Sequence, residues 1–402
     1  MPSDQTGPDD FDLGAIAVVR WMLHEGRHMT RTREFGDAMC QNIIAAGIPI
    51  CRGYCAVGTL HPTIAAAQYI WKRGERGAVK GIATHGLRER PEYKASPIAM
   101  LQSTRQMLRR KLEDSAGPLD FPVLTELKAE GCTDYVGFPL KFANGEVHAI
   151  TWATDRPGGF TDDDIAGLGE VAEALTLVTE LQASRRISVS LMNTYVGERS
   201  GAHVLAGQIQ RGSGEDLNAV IWFCDLRGFT RLADRLPRSD LIKLLNDYFE
   251  IMCKAVRAEG GEVLKFVGDG MLAIFEMKDA VEAAARAEAA LRAARAAIDA
   301  TRSHNAARRV AGQTEIKFGI ALHLGEVSYG NIGAPDRLDF TVIGPAVNHA
   351  NRLEKLAGEL GRPLLASASF AGAAPAGLQS LGLHRLRGVA EPQEVFALEA
   401  MA

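Results

Sequence analysis

The sequence predicts an α+β fold in two parts: an N-terminal unit of mixed helix and strand, and a C-terminal unit with one sheet and helices on it. Three observations predict this. The chain has 402 residues, 47% apolar and 23% charged, enough for two or three domains each with its own core. The polar run RGSGED, Arg211 to Asp216, interrupts the patterning. Beyond it, short apolar runs alternate with amphipathic stretches far more regularly than before. The expected organisation is 1–182 as a first domain, 183–218 as a helical linker and 219–402 as a second domain.

In chain order, periodicity predicts a helix over Thr30 to Ala46, closed by Gly47, then a strand over Cys51 to Leu60. Two further strands, Asp134 to Phe142 and Val147 to Thr154, flank Ala143, Asn144 and Gly145, a loop with hairpin chemistry. PGGFTDDDIAGLGEVAEALTLVTELQ reads as a capped helix, with Thr161 before three aspartates at the positive end of the helix dipole. This order resembles a GAF-type sensor domain, which implies an α/β sensor whose terminal helix leads to an output domain. A small-molecule ligand for it is left open, because His61, Trp71 and Tyr135 carry no ligand signature. The linker, Ser184 to Gly207, continues as helix, either pairing with its twin in a dimer or packing as a spacer.

In the second half, Ala219 to Asp225 reads as a buried strand and Phe229 to Leu236 as a short helix ended by Pro237. Asp240 to Ala258 is an amphipathic helix ended by Gly260 and Gly261. Val263 to Val267 and Met271 to Phe275 form a hairpin around Gly268, Asp269 and Gly270. An alanine-rich helix from Asp279 to Ser303 follows. Next come a strand Glu315 to His323, a turn at Leu324 and Gly325, a strand Val327 to Ile332 and a helix Pro345 to Ala357. The alternation is that of a ferredoxin-like βαββαβ core with additions.

Composition narrows the function classes. Lysine and arginine number 45 against 49 acidic residues, a net charge of −4, so no global basic field exists for a nucleic-acid backbone or an anionic membrane. No run approaches the ~18 apolar residues of a membrane helix, and MPSDQTGPDDFD is acidic where a secretory signal is basic then apolar. The expectation is a cytoplasmic protein with neither nucleic-acid nor membrane partners. Six cysteines at irregular spacing read as reduced core residues rather than a metal site or disulfide framework.

Chemistry concentrates in two places. In WFCDLRGFT, Trp222 to Thr230, a strand ends at Asp225 and passes through Gly228 into a helix, where free backbone N–H groups suit phosphate oxygens. Asp225 alone is most simply a cap. Asp269, 44 residues on, sits at a hairpin tip that an α+β sheet can bring beside the end of the first strand. Two converging carboxylates are a site for divalent cations with substrate phosphates completing the shell.

Together FCDLRGFT, LKFVGDG and FTVIGPAVNHANRLE resemble the catalytic domain of class III nucleotidyl cyclases, over about Ala219 to Leu398. The resemblance implies that Asp225 and Asp269, with the carbonyl of Leu226, hold two Mg²⁺ or Mn²⁺ ions. It places the triphosphate on Gly228, Phe229 and Thr230. Lys265 falls at the purine-reading position, where a donor suits adenine N1 and opposes guanine N1–H. Thr341 stands at the partner position, where many relatives carry aspartate; its hydroxyl can accept from adenine N6, less strongly than a carboxylate, and can also donate. Asn348 and Arg352, four apart on one helix face, are assigned the ribose and the charge growing on the phosphates. Where relatives often carry a triphosphate-binding lysine near the C-terminus, this chain offers Arg387.

The function implied is an adenylate cyclase converting ATP to 3′,5′-cyclic AMP and pyrophosphate in a homodimer, with the N-terminal domain as regulator. A guanylate cyclase is disfavoured by Lys265. A silent nucleotide-binding regulator sits poorly with Asp225, Asp269, Asn348 and Arg352 all present. The GG[DE]EF signature of diguanylate cyclases is missing, since residues 268–272 read GDGML.

Overall fold

A computed structural model describes residues 12–58, 64–75, 77, 79–113, 118–374 and 376–399. The acidic N-terminal run and the last two residues of the strand expected over Cys51 to Leu60 lie outside them. The chain divides into two units, Met1–Leu191 and Met192–Ala402.

The first unit begins with α1 (Asp12–His24) and α2 (Thr32–Ala45), then β1 (Arg52–Gly58), β2 (Ile64–Lys72) and β3 (Val79–Thr84). It continues with α3 (Pro91–Lys94), α4 (Pro97–Thr104), β4 (Leu108–Lys111), α5 (Pro122–Ala129), β5 (Asp134–Lys141), β6 (Val147–Thr154) and α6 (Asp162–Tyr195). The six strands pair antiparallel in the order β3-β2-β1-β6-β5-β4. One face packs on α1, α2 and α6 through Val18, Phe35, Ile43, Trp152 and Leu175. The other packs on α4 and α5 through Leu101, Leu124 and Tyr135. A capping box opens α6: Thr161 Oγ1 accepts from the Asp164 N–H at 3.1 Å, and Asp164 Oδ2 accepts from the Thr161 N–H at 2.7 Å. The cysteines are free, with Cys51 Sγ 3.5 Å from Cys132 Sγ.

The second unit starts with α7 (Glu198–Leu205), β7 (Gly214–Leu226), α8 (Phe229–Arg235), α9 (Arg238–Ala258), β8 (Glu262–Val267) and β9 (Gly270–Met277). Then come α10 (Ala283–Val310), β10 (Phe318–Ala334), β11 (Arg337–Ile343), α11 (Pro345–Glu359), β12 (Leu364–Ser367), α12 (Ala368–Ala373), β13 (Leu378–His384) and β14 (Gln393–Leu398). The sheet order is β13-β14-β12-β10-β7-β9-β8, with β11 on β10. Its inner strands, β10-β7-β9-β8, stand fourth, first, third and second in the chain, the order of a ferredoxin-like core. Alternation on β7 sets the two faces. Val220, Trp222 and Cys224 join α9 and α10, while Ile221 and Phe223 join α11. Side chains as enclosed as Val220, Phe275 and Leu322 each contribute about 1.5–3 kcal/mol.

Two sequence expectations fail here, both on glycine. Leu324 and Gly325 form no turn. Phe318–Ala334 is one strand, in which they pair with Val220 and Ala219 of β7. A Cβ on Gly325 would lie 2.8 Å from Ala346 Cβ, so glycine admits the start of α11 rather than bending the chain. Likewise RGSGED is no flexible stop after Ser213, because β7 begins at Gly214. There a Cβ would lie 2.7 Å from the Tyr329 carbonyl across the ladder. Among the described residues no helix is long and apolar enough to cross a membrane.

Candidate active site

The last residues of β7 deliver Asp225 opposite the β8–β9 turn, since Cys224 pairs with Met271 of β9. Gly268 in that turn has φ +65, the left-handed region glycine enters freely. Gly270 allows the close approach, for a Cβ there would meet the Cys224 carbonyl at 3.0 Å and Asp225 Oδ1 at 3.4 Å. The Asp225 and Asp269 carboxyls come within hydrogen-bonding reach of each other. Burial first, then Asp269, with Glu354 adding to them, pushes Asp225 up to about 7. Two carboxyls pressed together without a counter-charge form an all-oxygen donor set of the kind Mg²⁺ or Mn²⁺ takes. Among the described residues no group of three or more His, Cys, Asp or Glu side chains that could hold a metal ion is present, at this pair or elsewhere.

Downstream, Gly228 caps α8 with φ +70 and brings no side chain of its own to the first-turn N–H groups. Gly228 and Thr230 are exposed, whereas Phe229 packs partly into the core. The loop is pinned by a residue that sequence reasoning passed over. Arg227 donates its backbone N–H to the Lys317 carbonyl at 2.7 Å, and its side chain threads between Gly319 and Gly358. A Cβ on either glycine would overlap that guanidinium. Arg227 Nη1 ends 2.7 Å from Glu354 Oε1, a contact of charge rather than of hydrogen-bond geometry. Glu354 is therefore no ordinary polar-face residue of α11, for it is 2% exposed and burial raises its pKa. Its partner in DLRG could have been suspected, because an arginine between two site residues invites a search for its counter-ion.

Phe223, Leu272 and Lys265 are in register across β7, β9 and β8, and they share the face on which α11 packs. Lys265 follows a bulge in β8, and its Nζ lies 3.7 Å from Asp339 Oδ2 on β11. Thr341 is 4% exposed, and its hydroxyl has no partner. On α11, Asn348 is exposed and Arg352 half-buried beside Gly388. Neither side chain makes a hydrogen bond or ion pair to another described residue. Arg387 is exposed on the same loop as Gly388. His323 and His349 stack with ring centroids 4.3 Å apart, and His323 Nδ1 meets Ser367 Oγ at 2.8 Å. Burial, with His349 alongside, lowers His323 to about 4, so the ring is neutral near pH 7.

The structure thus brings Asp225, Leu226 and Asp269 together, with Gly228, Phe229 and Thr230 in the same loop. It groups Lys265 with β11 and leaves Asn348 and Arg352 unpartnered on α11.

Comparison with known proteins finds residues 214–362 matching the family described as "Adenylate and Guanylate cyclase catalytic domain". An uncharacterised protein of Mycobacterium tuberculosis is 35% identical over 215 residues, covering 53% of this chain and 38% of that protein. An adenylate cyclase of Anabaena cylindrica is 30% identical over 210 residues, covering 50% of this chain and 41% of that one. The chain thus matches about two fifths of the length of these curated relatives. Among solved structures, an adenylyl cyclase from P. aeruginosa aligns at 28% identity and TM-score 0.44, over 47% of this chain and 97% of that chain. A guanylyl cyclase aligns at 28% identity and TM-score 0.40, over 46% and 93%.

Proposed function

We propose that the C-terminal half, which matches the adenylate and guanylate cyclase catalytic domain over residues 214–362, is an adenylate cyclase working as a homodimer. The observation that carries this reading is the contact between Asp225 and Asp269, whose shared environment drives Asp225 up to about 7. Bound to these carboxyls and the Leu226 carbonyl, Mg²⁺ or Mn²⁺ would acidify the ribose 3′-hydroxyl and offset charge on the β- and γ-phosphates. The 3′-oxygen bonds to the α-phosphorus as the bond to pyrophosphate breaks, so no side-chain nucleophile is needed.

The chain's own residues do the positioning. Free N–H groups at Gly228, Phe229 and Thr230 hold phosphate oxygens. Lys265 donates to adenine N1, and the enclosed, unpartnered Thr341 hydroxyl accepts from N6. Asn348 orients the ribose, and the Arg352 fork meets charge developing on the phosphoryl group. The two sets serve one nucleotide only across a subunit boundary, which is why Asn348 and Arg352 are unpartnered within a protomer. Exposed Phe266 and Val267 beside the hairpin, and Leu177, Leu181 and Val189 along α6, supply apolar surface for a second copy to cover.

The N-terminal unit is read as a GAF-like regulator. A cavity of about 690 Å³ lies against its sheet, walled by Tyr54, Gln68, Tyr93, Tyr135 and Thr151, within the size range of small-molecule sites. Trp71 is not part of it, as its Nε1 donates to Asp37 Oδ1 at 2.8 Å.

Incubating the full chain with ATP or GTP and Mg²⁺ or Mn²⁺, with products separated by chromatography, tests the function. The expected result is cyclic AMP and pyrophosphate, with ATP preferred. Cyclic GMP as the main product would transfer the reading to a guanylate cyclase, and no cyclic nucleotide at all would leave the silent regulator.

A further inference from the structure

We propose that Cys51 and Cys132 are a redox modification site, closing to a reversible disulfide when the protein meets hydrogen peroxide, with Cys132 reacting first. Both residues lie in the first unit, so this stands apart from the cyclase reading.

The two thiols, 81 residues apart in the chain, meet at 3.5 Å. Backbone contacts on three sides hold them there. β1 and β5 are the two neighbours of β6, and each is anchored at its start. The Cys51 N–H donates to the Ala153 carbonyl and the Thr133 N–H to the Thr154 carbonyl, both at 2.8 Å. The Cys132 N–H also donates to the Leu127 carbonyl at 2.9 Å, in a Schellman turn that ends α5 with Gly131 at φ +91. A disulfide of about 2.05 Å asks the sulfurs to close by about 1.5 Å. Rotation about χ1 and the exposed turn at Glu130 and Gly131 can take up that step.

The surroundings make the two thiols unequal. A hydrogen bond from the Cys51 thiol lowers the pKa of Cys132 against burial and Glu130, with Arg52 assisting, and the same bond raises Cys51. Burial raises Cys40, Cys55, Cys224 and Cys253. Cys132 is thus the cysteine that reaches the nucleophilic thiolate most readily, with a second thiol beside it. Cys51 is half-buried and Cys132 is covered by the exposed turn, so the oxidant that suits the pair is small.

The Cys132 thiolate attacks one peroxide oxygen as the O–O bond breaks, leaving a sulfenic acid and hydroxide, which takes up a proton as water. The Cys51 sulfur then attacks the sulfenic sulfur: the S–S bond forms, the S–O bond breaks, and a second water leaves with the Cys51 proton. Two electrons pass from the thiols to the peroxide, and a dithiol reductant returns them by exchange. The bond closes into one ring the stretch that carries β2, β3, α3, α4, β4 and α5, with Gln68 and Tyr93 of the cavity wall. Oxidation is therefore placed to restrain those walls.

Peptide mapping of the full chain tests this: reduced protein is exposed to hydrogen peroxide, blocked with N-ethylmaleimide, digested and read by mass spectrometry. The expected product is a peptide pair joining Cys51 to Cys132, about 2 Da lighter than the two thiol peptides and released by dithiothreitol. It should form at least about tenfold faster than any change at Cys40, Cys55, Cys224 or Cys253. In Cys51→Ser the sulfenic acid should persist at Cys132 and react with dimedone, and in Cys132→Ser position 51 should stay unlabelled. A wild-type map without the joined pair overturns the proposal. So does Cys132 carried to sulfinic acid while Cys51 remains a free thiol, or dimedone labelling of Cys51 in place of Cys132. The wild-type map decides by itself should either variant fail to fold.

Discussion

Asp269→Asn is expected to lower cyclic-nucleotide formation by roughly a thousandfold, about 4 kcal/mol of lost barrier reduction, while raising the melting temperature of the metal-free protein. Both effects come from one arrangement. The turn held by Gly268 and Gly270 presses Asp269 against Asp225, and burial together with that neighbour lifts Asp225 to about 7. A raised carboxyl means the folded state binds its proton more tightly than the unfolded chain does. That stabilisation is complete below about pH 4, declines as pH rises and is gone above about pH 7. Asparagine at 269 removes the like charge, so the gain in melting temperature should appear at pH 8 and shrink at pH 5. Asp225 is only half-buried, so solvent screening holds the gain to a few degrees. Thermal melts at both pH values, paired with activity assays in Mn²⁺, read the opposite signs of the two effects.

Arg352→Ala is expected to cut kcat about 100- to 1,000-fold with KM for ATP little changed, the mark of an interaction made only in the transition state. Arg352→Lys should recover less than tenfold, since an ammonium lacks the guanidinium fork. Stability should be unaffected, because the Arg352 side chain ties to no described residue and is half-buried beside Gly388. Arg227 makes a useful contrast. Its guanidinium is committed to the buried Glu354, so its loss would leave an uncompensated charge and lower stability along with activity. Melting curves beside steady-state kinetics separate the two arginines.

What the sequence made legible was whatever depends on local pattern. FCDLRGFT, LKFVGDG and FTVIGPAVNHANRLE declared their elements, and the GDG hairpin predicted how Asp269 could reach the end of the Asp225 strand. Glycines were harder, because the same residue that breaks a strand also lets two backbones close on each other. Gly325 and Gly214 do the second while resembling the first. The strands β2 and β3 escaped notice because IAAAQYIWK and VKGIAT carry little alternation. The burial of Glu354 has no local sign, since nothing near it in sequence shows that Arg227, 127 residues earlier, reaches it through a gap of two glycines.

The proposed homodimer requires the carboxyls of one protomer and the arginine of its partner to act on a single nucleotide. Mixing Asp225→Ala chains with Arg352→Ala chains, each inactive alone, tests it most directly. Random exchange makes half of the dimers mixed, each with one intact site of two, so about a quarter of wild-type activity should return. Activity no higher than the sum of the separate variants, with mixed dimers demonstrated by native mass spectrometry, would contradict it.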